Sequence, residues 1–453
     1  MSLNKYRFAL RTRSFLDAHA ADRTGMVELS PAPDRQLLVW NPEAVGEIFR
    51  SEQRMVLEGS DTLGPLVGEH SMLFANGQRH AAYRKVVGPA LRGRRLAAYR
   101  GVITEATDAA LGSLTPGTTF SLPEWTRALT LRIIGRIVLG HAEDETLGPF
   151  TKWVEYALGS RARTLAYRHL RGLGPLPSPW RTFRRDRAEI VRDLLRASRP
   201  EESPKPREPG GKAAGRAGGP PTIAGLLTSG EEPLGPMGDE ELSDQLISLL
   251  FAGHETTASA IAWTLFWLHR DERVRHDVLA ELEATTDDGS TTEAVPLLNA
   301  VCQEALRISP PATVAGNRML TSDWRLLDRP EPAGTRLTPC IALAHRSPEI
   351  YPDPGRFDPG RFLGAPRHAQ EYLPFGGGTR RCLGANLAML EMRMVVAAVL
   401  RRHDLRCLNP EAAVPHLRGP AMGPGPLRMA VGGCPMRAGR PPAPPSGEGE
   451  VRT

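Results

Sequence analysis

The stretch Phe375-Gly-Gly-Gly-Thr-Arg-Arg-Cys-Leu-Gly384 narrows the possible architectures more than any other segment, because a long apolar helical pattern begins directly after it. Glycines let backbone N–H groups approach a ligand closely and reach turns with positive φ. A cysteine just ahead of a helix feels the positive end of its dipole, which favours thiolate over thiol. Arg380 and Arg381 push the same way and can hold anionic groups. The loop therefore predicts an anionic sulfur at Cys382 on a rigid turn, suited to a soft or borderline metal. The alternative is an inert, buried cysteine in a glycine turn.

Zinc needs about four clustered ligands, and no CxxC or paired-histidine spacing accompanies Cys382. A single thiolate suffices where a macrocycle supplies the other ligands, which is heme with an axial cysteine. The spacing Phe375-x-x-Gly378-x-Arg380-x-Cys382-x-Gly384 resembles the cytochrome P450, or heme-thiolate, family. Other segments resemble the same family, in its order. Ala252-Gly-His-Glu-Thr-Thr257 is similar to the oxygen-activation segment, and Glu304-Ala-Leu-Arg307 to the Glu-x-x-Arg pair. Phe357-Asp-Pro-Gly-Arg361-Phe362 is similar to the arginine motif of the meander, and His80-Ala-Ala-Tyr-Arg84 to an early heme-propionate segment.

The chain has 453 residues, 41% hydrophobic and 24% charged, an ordinary globular composition. Length alone would allow two or three domains, but the motif order implies one fold around one heme. The net charge of +6 is spread along the chain, which does not indicate nucleic-acid binding. The basic residues are mostly arginine, a bias read as a GC-rich bacterial genome. Five scattered cysteines (Cys302, Cys340, Cys382, Cys407 and Cys434) fit a reducing cytosol better than a disulfide framework. Met1 to Arg13 holds no long apolar run, so neither a signal peptide nor a membrane anchor is expected. The resemblance is to the soluble, bacterial type, and a cytoplasmic monomer is expected.

The fold class expected is mainly α with a small β region, as a single heme-containing domain over residues 1–436. Strand-type runs such as Gln36–Trp40 lead into a helix from Pro42, and 57–76 reads as glycine-rich and irregular. Helical patterns follow at 79–112, 122–141, 144–171 and 179–198. Residues 199–221 are Pro, Gly, Ala and charge without periodicity, read as a disordered insertion or, alternatively, a binding segment. Residues 437–453 read as a disordered tail. The longest helix is expected over 239–269, with Asp239 as N-cap. Its poorest helix formers, Gly253, Thr256 and Thr257, sit mid-span, which suggests a kink or cavity, or a plain packing glycine. Helices at 271–285 and 292–308, strands over 318–344, a meander over 345–381 and a helix at 384–402 complete the pattern.

The resemblance implies the following roles. Cys382 would be the axial ligand of heme b, with Phe375 against the heme, and Gly378 and Gly384 permitting the loop and the helix start. Glu255 and Thr256 would form an acid–alcohol pair that delivers protons to bound dioxygen, while small Ala252 and Gly253 leave room over the heme. Thr256 could instead bond the Ala252 carbonyl, opening a groove for oxygen. Glu304, Arg307 and Arg361 would form a buried structural triad; alone, the first two would be an ordinary helix-face pair. His80, Arg84, Arg318 and Arg380 match propionate contacts, which buried carboxylates require. His345 receives no role. Substrate contacts would come from Thr62–Glu69, Ala252, Thr313–Gly316 and Met422–Gly423, mostly apolar or small positions that suit a hydrophobic substrate.

The function so implied is a monooxygenase acting on a lipophilic small molecule, by hydroxylation or epoxidation, in bacterial specialised metabolism. Electrons would come from NAD(P)H through a ferredoxin and its reductase. Arg92, Arg94, Arg95 and Arg381 could dock an acidic ferredoxin or simply be solvated charges. Two other readings stay open: oxidative coupling, rearrangement or peroxide-driven oxidation at the same heme, and a non-catalytic heme sensor or carrier.

Overall fold

The computed structural model describes residues 2–58, 63–159, 179–198, 222–291, 294–364 and 367–433. The insertion expected at 199–221 and the tail expected at 437–453 lie outside these residues, as does most of the second half of the helix expected at 144–171.

The molecule is organised around the long helix Asp239–Arg270. Its charge order suits the helix dipole, with Asp239, Glu240 and Glu241 in the first turn and His269 and Arg270 in the last. Asp239 is the first helical residue rather than the N-cap; Gly238 holds that position without a side-chain cap. Twenty-two of its 32 residues are buried, so it serves as an internal strut rather than an amphipathic surface helix. It crosses the helix Leu122–Leu139, which ends at Gly140 in the left-handed conformation that glycine tolerates best. The helices Pro296–Ile308 and Ala385–Arg402 pack against other faces of the long helix. These elements share one large apolar core that includes Ile134, Leu246, Ile261, Leu306 and Leu390.

A second apolar cluster lies under a five-stranded sheet and holds Phe15, Leu37, Ile48, Leu337 and Leu373. Strand order is Met26–Ser30, Gln36–Val39, Arg336–Pro339, Arg318–Leu320, Met55–Leu57. Only the pairing of Gln36–Val39 with Arg336–Pro339 is parallel. The helix Pro42–Arg50 begins where expected, with the Asn41 side chain accepting from the Ala44 N–H at 3.0 Å.

The expected helix over 79–112 is instead broken into Gly77–Val87, a 3-10 turn Gly88–Leu91, a short Arg94–Ala97 and Arg100–Gly112. Pro89 has no N–H to continue the ladder, and Gly93 adopts φ +61°. Two N-terminal helices, Leu3–Leu10 and Thr12–His19, had no clear sequence signal. No helix among the described residues is long and apolar enough to cross a membrane.

Candidate active site

A cavity of about 450 Å³ lies between the long helix and the helix Ala385–Arg402, walled mainly by apolar side chains. The cysteine loop forms one wall. Gly376 and Gly378 adopt φ near +65°, which turns the chain so that the Cys382 N–H donates to the Phe375 carbonyl at 2.8 Å. Phe375, Arg380, Cys382 and Gly384 all line the cavity. Gly384 caps the following helix, and a Cβ there would meet no protein atom within 4 Å. Gly378 does not line the cavity; a Cβ on it would collide with the Glu52 carboxylate.

Cys382 is exposed and opens onto the cavity. Burial pushes its thiol up, against the Gly384 N–H and the charges of Arg381 and Arg84, and the net shift is upward. The Gly384 N–H and the two arginines favour the thiolate, as expected, and burial opposes them. A bound metal ion would take the proton's place.

The four expected anion contacts meet at one end of the cavity. Arg380 donates to Asn76 Oδ1 at 2.8 Å, and Arg84 to the Arg381 carbonyl at 2.9 Å. Burial, then Arg380 and Arg84, bring His80 down to about 4, so in this field it is a neutral imidazole rather than a cation. Burial also brings Arg380 down to about 10. Arg318 is 2% exposed and is already engaged. It donates to Glu52 Oε1 through Nε (3.1 Å) and Nη2 (3.0 Å), and through Nη1 to the carbonyls of Ala315 and Gly316.

On the long-helix side, Ala252, Gly253 and Thr256 face the cavity. Thr256 Oγ1 donates to the Ala252 carbonyl at 2.9 Å, the back-bonded alternative. Gly253 also packs: a Cβ there would come 2.5 Å from Ile134, on the crossing helix. Glu255 is not with Thr256. Its carboxylate turns into a separate pocket, accepting from Arg418 Nε at 3.1 Å with His254 Nε2 at 3.3 Å. Burial raises this carboxyl, but His254, Arg418 and Arg127 outweigh it and bring it down to about 2. The expected pair is thus adjacent in sequence and divided in space.

The triad is assembled away from the cavity. Glu304 and Arg307 are fully buried and paired twofold, Nε to Oε2 at 2.6 Å and Nη2 to Oε1 at 2.8 Å. Arg307 also donates to the carbonyls of His345, Pro354 and Arg356 at 2.9 to 3.1 Å. Glu304 Oε1 accepts the Asp358 N–H at 2.8 Å. Arg361 sits at ion-pair range, 3.5 Å from Glu304, and donates to the Asp353 carbonyl. His345, given no role from sequence, continues this frame. Its Nε2 accepts the Leu373 N–H at 2.8 Å, next to the cysteine loop.

Of the expected substrate positions, Ala252 and Val314–Gly316 line the cavity. Thr313, Met422 and Gly423 line neighbouring pockets instead, Leu63–Glu69 does not reach it, and Thr62 lies outside the described residues. Sequence reasoning missed Leu57, Met72, Leu73 and Leu249 on its walls, which carry no motif. It also missed Glu391, 2% exposed, with no partner for Oε1 and a carboxyl that burial pushes well above the usual range. Arg92, Arg94, Arg95 and Arg381 are exposed.

One open sulfur, apolar walls and a cationic end suit a flat, largely apolar group with a metal at its centre and negative charge at one edge. The comparisons agree. The sequence model of one family, described as Cytochrome P450, matches residues 16–429. Cytochrome P450 135B1 of Mycobacterium bovis is 32% identical over 428 residues, 91% of this chain and 83% of that protein. Cyclooctat-9-en-7-ol 5-monooxygenase of Streptomyces melanosporofaciens is 31% identical over 418 residues, 88% of this chain and 86% of that protein. Among solved structures, retinoic acid-bound cyanobacterial CYP120A1 superposes with a TM-score of 0.79 at 23% identity, covering 95% of this chain and 96% of that one.

Proposed function

The chain belongs to the cytochrome P450 family and is therefore a heme b monooxygenase, and we propose that it inserts one atom of O2 into a lipophilic small molecule, by hydroxylation or epoxidation. The family assignment displaces the sensor or carrier reading. We take the setting to be bacterial specialised metabolism, with a cytoplasmic monomer fed electrons by a ferredoxin and an NAD(P)H-dependent reductase. The relative that oxidises cyclooctat-9-en-7-ol, in its name an alcohol of a cyclic hydrocarbon, supports that substrate class.

The observation that carries this reading is the Cys382 sulfur opening onto a mainly apolar cavity opposite Ala252 and Thr256. Cys382 would hold the heme iron, Phe375 and Gly384 would flank it, and His80, Arg84, Arg318 and Arg380 would receive the propionates. When bound, heme b supplies dioxygen activation and its thiolate ligand favours O–O cleavage. Thr256 can turn its hydroxyl from the Ala252 carbonyl towards the cavity and hold a proton at Oγ1. Ala252 leaves space beside that hydroxyl. Leu57, Met72, Leu249 and Val314 exclude water and orient an apolar substrate by shape. The Glu304–Arg307 frame holds the meander and, through His345, the approach to the cysteine loop.

The test is spectroscopic. Reduced, carbon monoxide-treated protein should show the thiolate-type absorption band, and Cys382→Ser should lose it. A band that survives in Cys382→Ser overturns the ligand assignment. Apolar substrates should then shift the ferric spectrum from low to high spin.

A further inference from the structure

We propose that Glu52 is a positioning residue for the heme: one carboxylate oxygen orients Arg318, the other ties down the cysteine loop at Thr379, and its charge sets the heme reduction potential. The proposal rests on the heme reading above.

Glu52 opens a 3-10 turn ahead of the strand Met55–Leu57, and its side chain is 8% exposed. Its Oε1 accepts two bonds from Arg318, whose Nη1 is taken by two carbonyls. A guanidinium has five N–H donors, so Arg318 keeps one for a propionate. Its orientation is set by Glu52 rather than by the ligand. The other oxygen accepts from the Thr379 N–H and hydroxyl, both at 2.6 Å. Gly378 independently marks the same contact, because any side chain there would overlap the carboxylate. One buried anion thus joins the propionate end to the loop that bears the metal ligand.

The charge argument is separate. Glu52 is felt at His80, Arg84 and Arg380 as well as Arg318. Among the described residues lining the cavity, the only carboxyl is Glu391, whose ionisation burial opposes. Arg84, Arg318 and Arg380 would face two propionates, and the exposed Arg381 also lines the cavity. Glu52 supplies a further negative charge that offsets one of these cations. Without it, the site would carry one more net positive charge near the heme edge, which would favour the reduced iron.

The experiment compares midpoint potentials of the heme-loaded full chain by spectroelectrochemical titration. Glu52→Gln should shift the potential to more positive values. Thr379→Val, which removes one hydrogen bond and no charge, should shift it much less. Glu52→Gln/Arg318→Gln should return towards the wild-type value, whereas a purely structural role would make the double variant worse. Should Glu52→Gln not fold, Arg318→Gln alone should shift the potential in the negative direction. An unmoved potential in Glu52→Gln or Arg318→Gln overturns the proposal, as does a Thr379→Val shift equal to that of Glu52→Gln. Failure of the wild type to bind heme would instead overturn the functional reading itself.

Discussion

Replacing Arg307 by methionine would test whether the buried frame behind the cysteine loop is structural. The variant keeps the helix and much of the volume but strands the Glu304 carboxylate, which is 0% exposed, without its twofold partner. Breaking a buried ion pair from one side costs about 3–5 kcal/mol. Three meander carbonyls, at His345, Pro354 and Arg356, lose a charged donor at the same time. Against a total folding stability of about 5–15 kcal/mol, that is a large fraction. The guanidinium midpoint of heme-loaded protein, followed by far-UV circular dichroism, should fall sharply, and heme should be lost early. Glu304→Leu/Arg307→Met should be less damaged than Arg307→Met alone, because the fully buried carboxylate is gone, yet still below wild type because the carbonyls stay unpaired and Arg361 loses its partner. An Arg307→Met midpoint equivalent to less than about 1 kcal/mol of destabilisation, the scale of an exposed pair, would refute the argument.

Thr256→Ala should uncouple the reaction: product formed per NAD(P)H consumed falls several-fold while NAD(P)H oxidation continues, and full coupling would show the hydroxyl is dispensable. Glu391 has a carboxyl raised by burial, so its contribution to stability is present below the unfolded carboxylate value of about 4.3 and is lost as pH rises above it. Glu391→Gln should therefore gain stability relative to wild type between pH 5 and pH 8, about that range, and a constant difference across it would contradict the assignment. The Glu255 carboxyl is depressed to about 2, so its contribution is present above the unfolded value and lost as pH falls through that point. Arg418→Met should move acid unfolding to higher pH, and an unchanged acid limb would mean that the ion pair does not act on Glu255.

What the sequence made legible was whatever chemistry forces into fixed spacing. The cysteine loop needs its glycines because φ near +65° at Gly376 and Gly378 is accessible to little else. The Glu304–Arg307 pair lies three apart, a spacing that shares one helix face. The long helix was legible because its charge order and burial persist over 32 residues. The broken stretch after Gly77 was not, because apolar periodicity continued through Pro89 and Gly93 and concealed the interruptions. Cavity walls such as Met72 and Leu249 look like any core residue until the chain is folded. Glu52 lies far in sequence from Thr379 and Arg318, and nothing local marks it.

The divergence of Glu255 from Thr256 follows from helix geometry. Neighbouring residues on a helix point roughly 100° apart, so one side chain facing the cavity turns the next away from it. Thr256 takes the cavity side, and Glu255 takes the side shared with Arg127 and Arg418. Held down to about 2, Glu255 is an anion at any working pH, so it must accept a proton before it can pass one on. Arg418 opposes that step by stabilising the anion at 3.1 Å. Were this acid to supply Thr256, its carboxylate would first have to leave Arg418, and the strength of that contact, more than the adjacency of the two residues in sequence, would govern how readily the hydroxyl is resupplied.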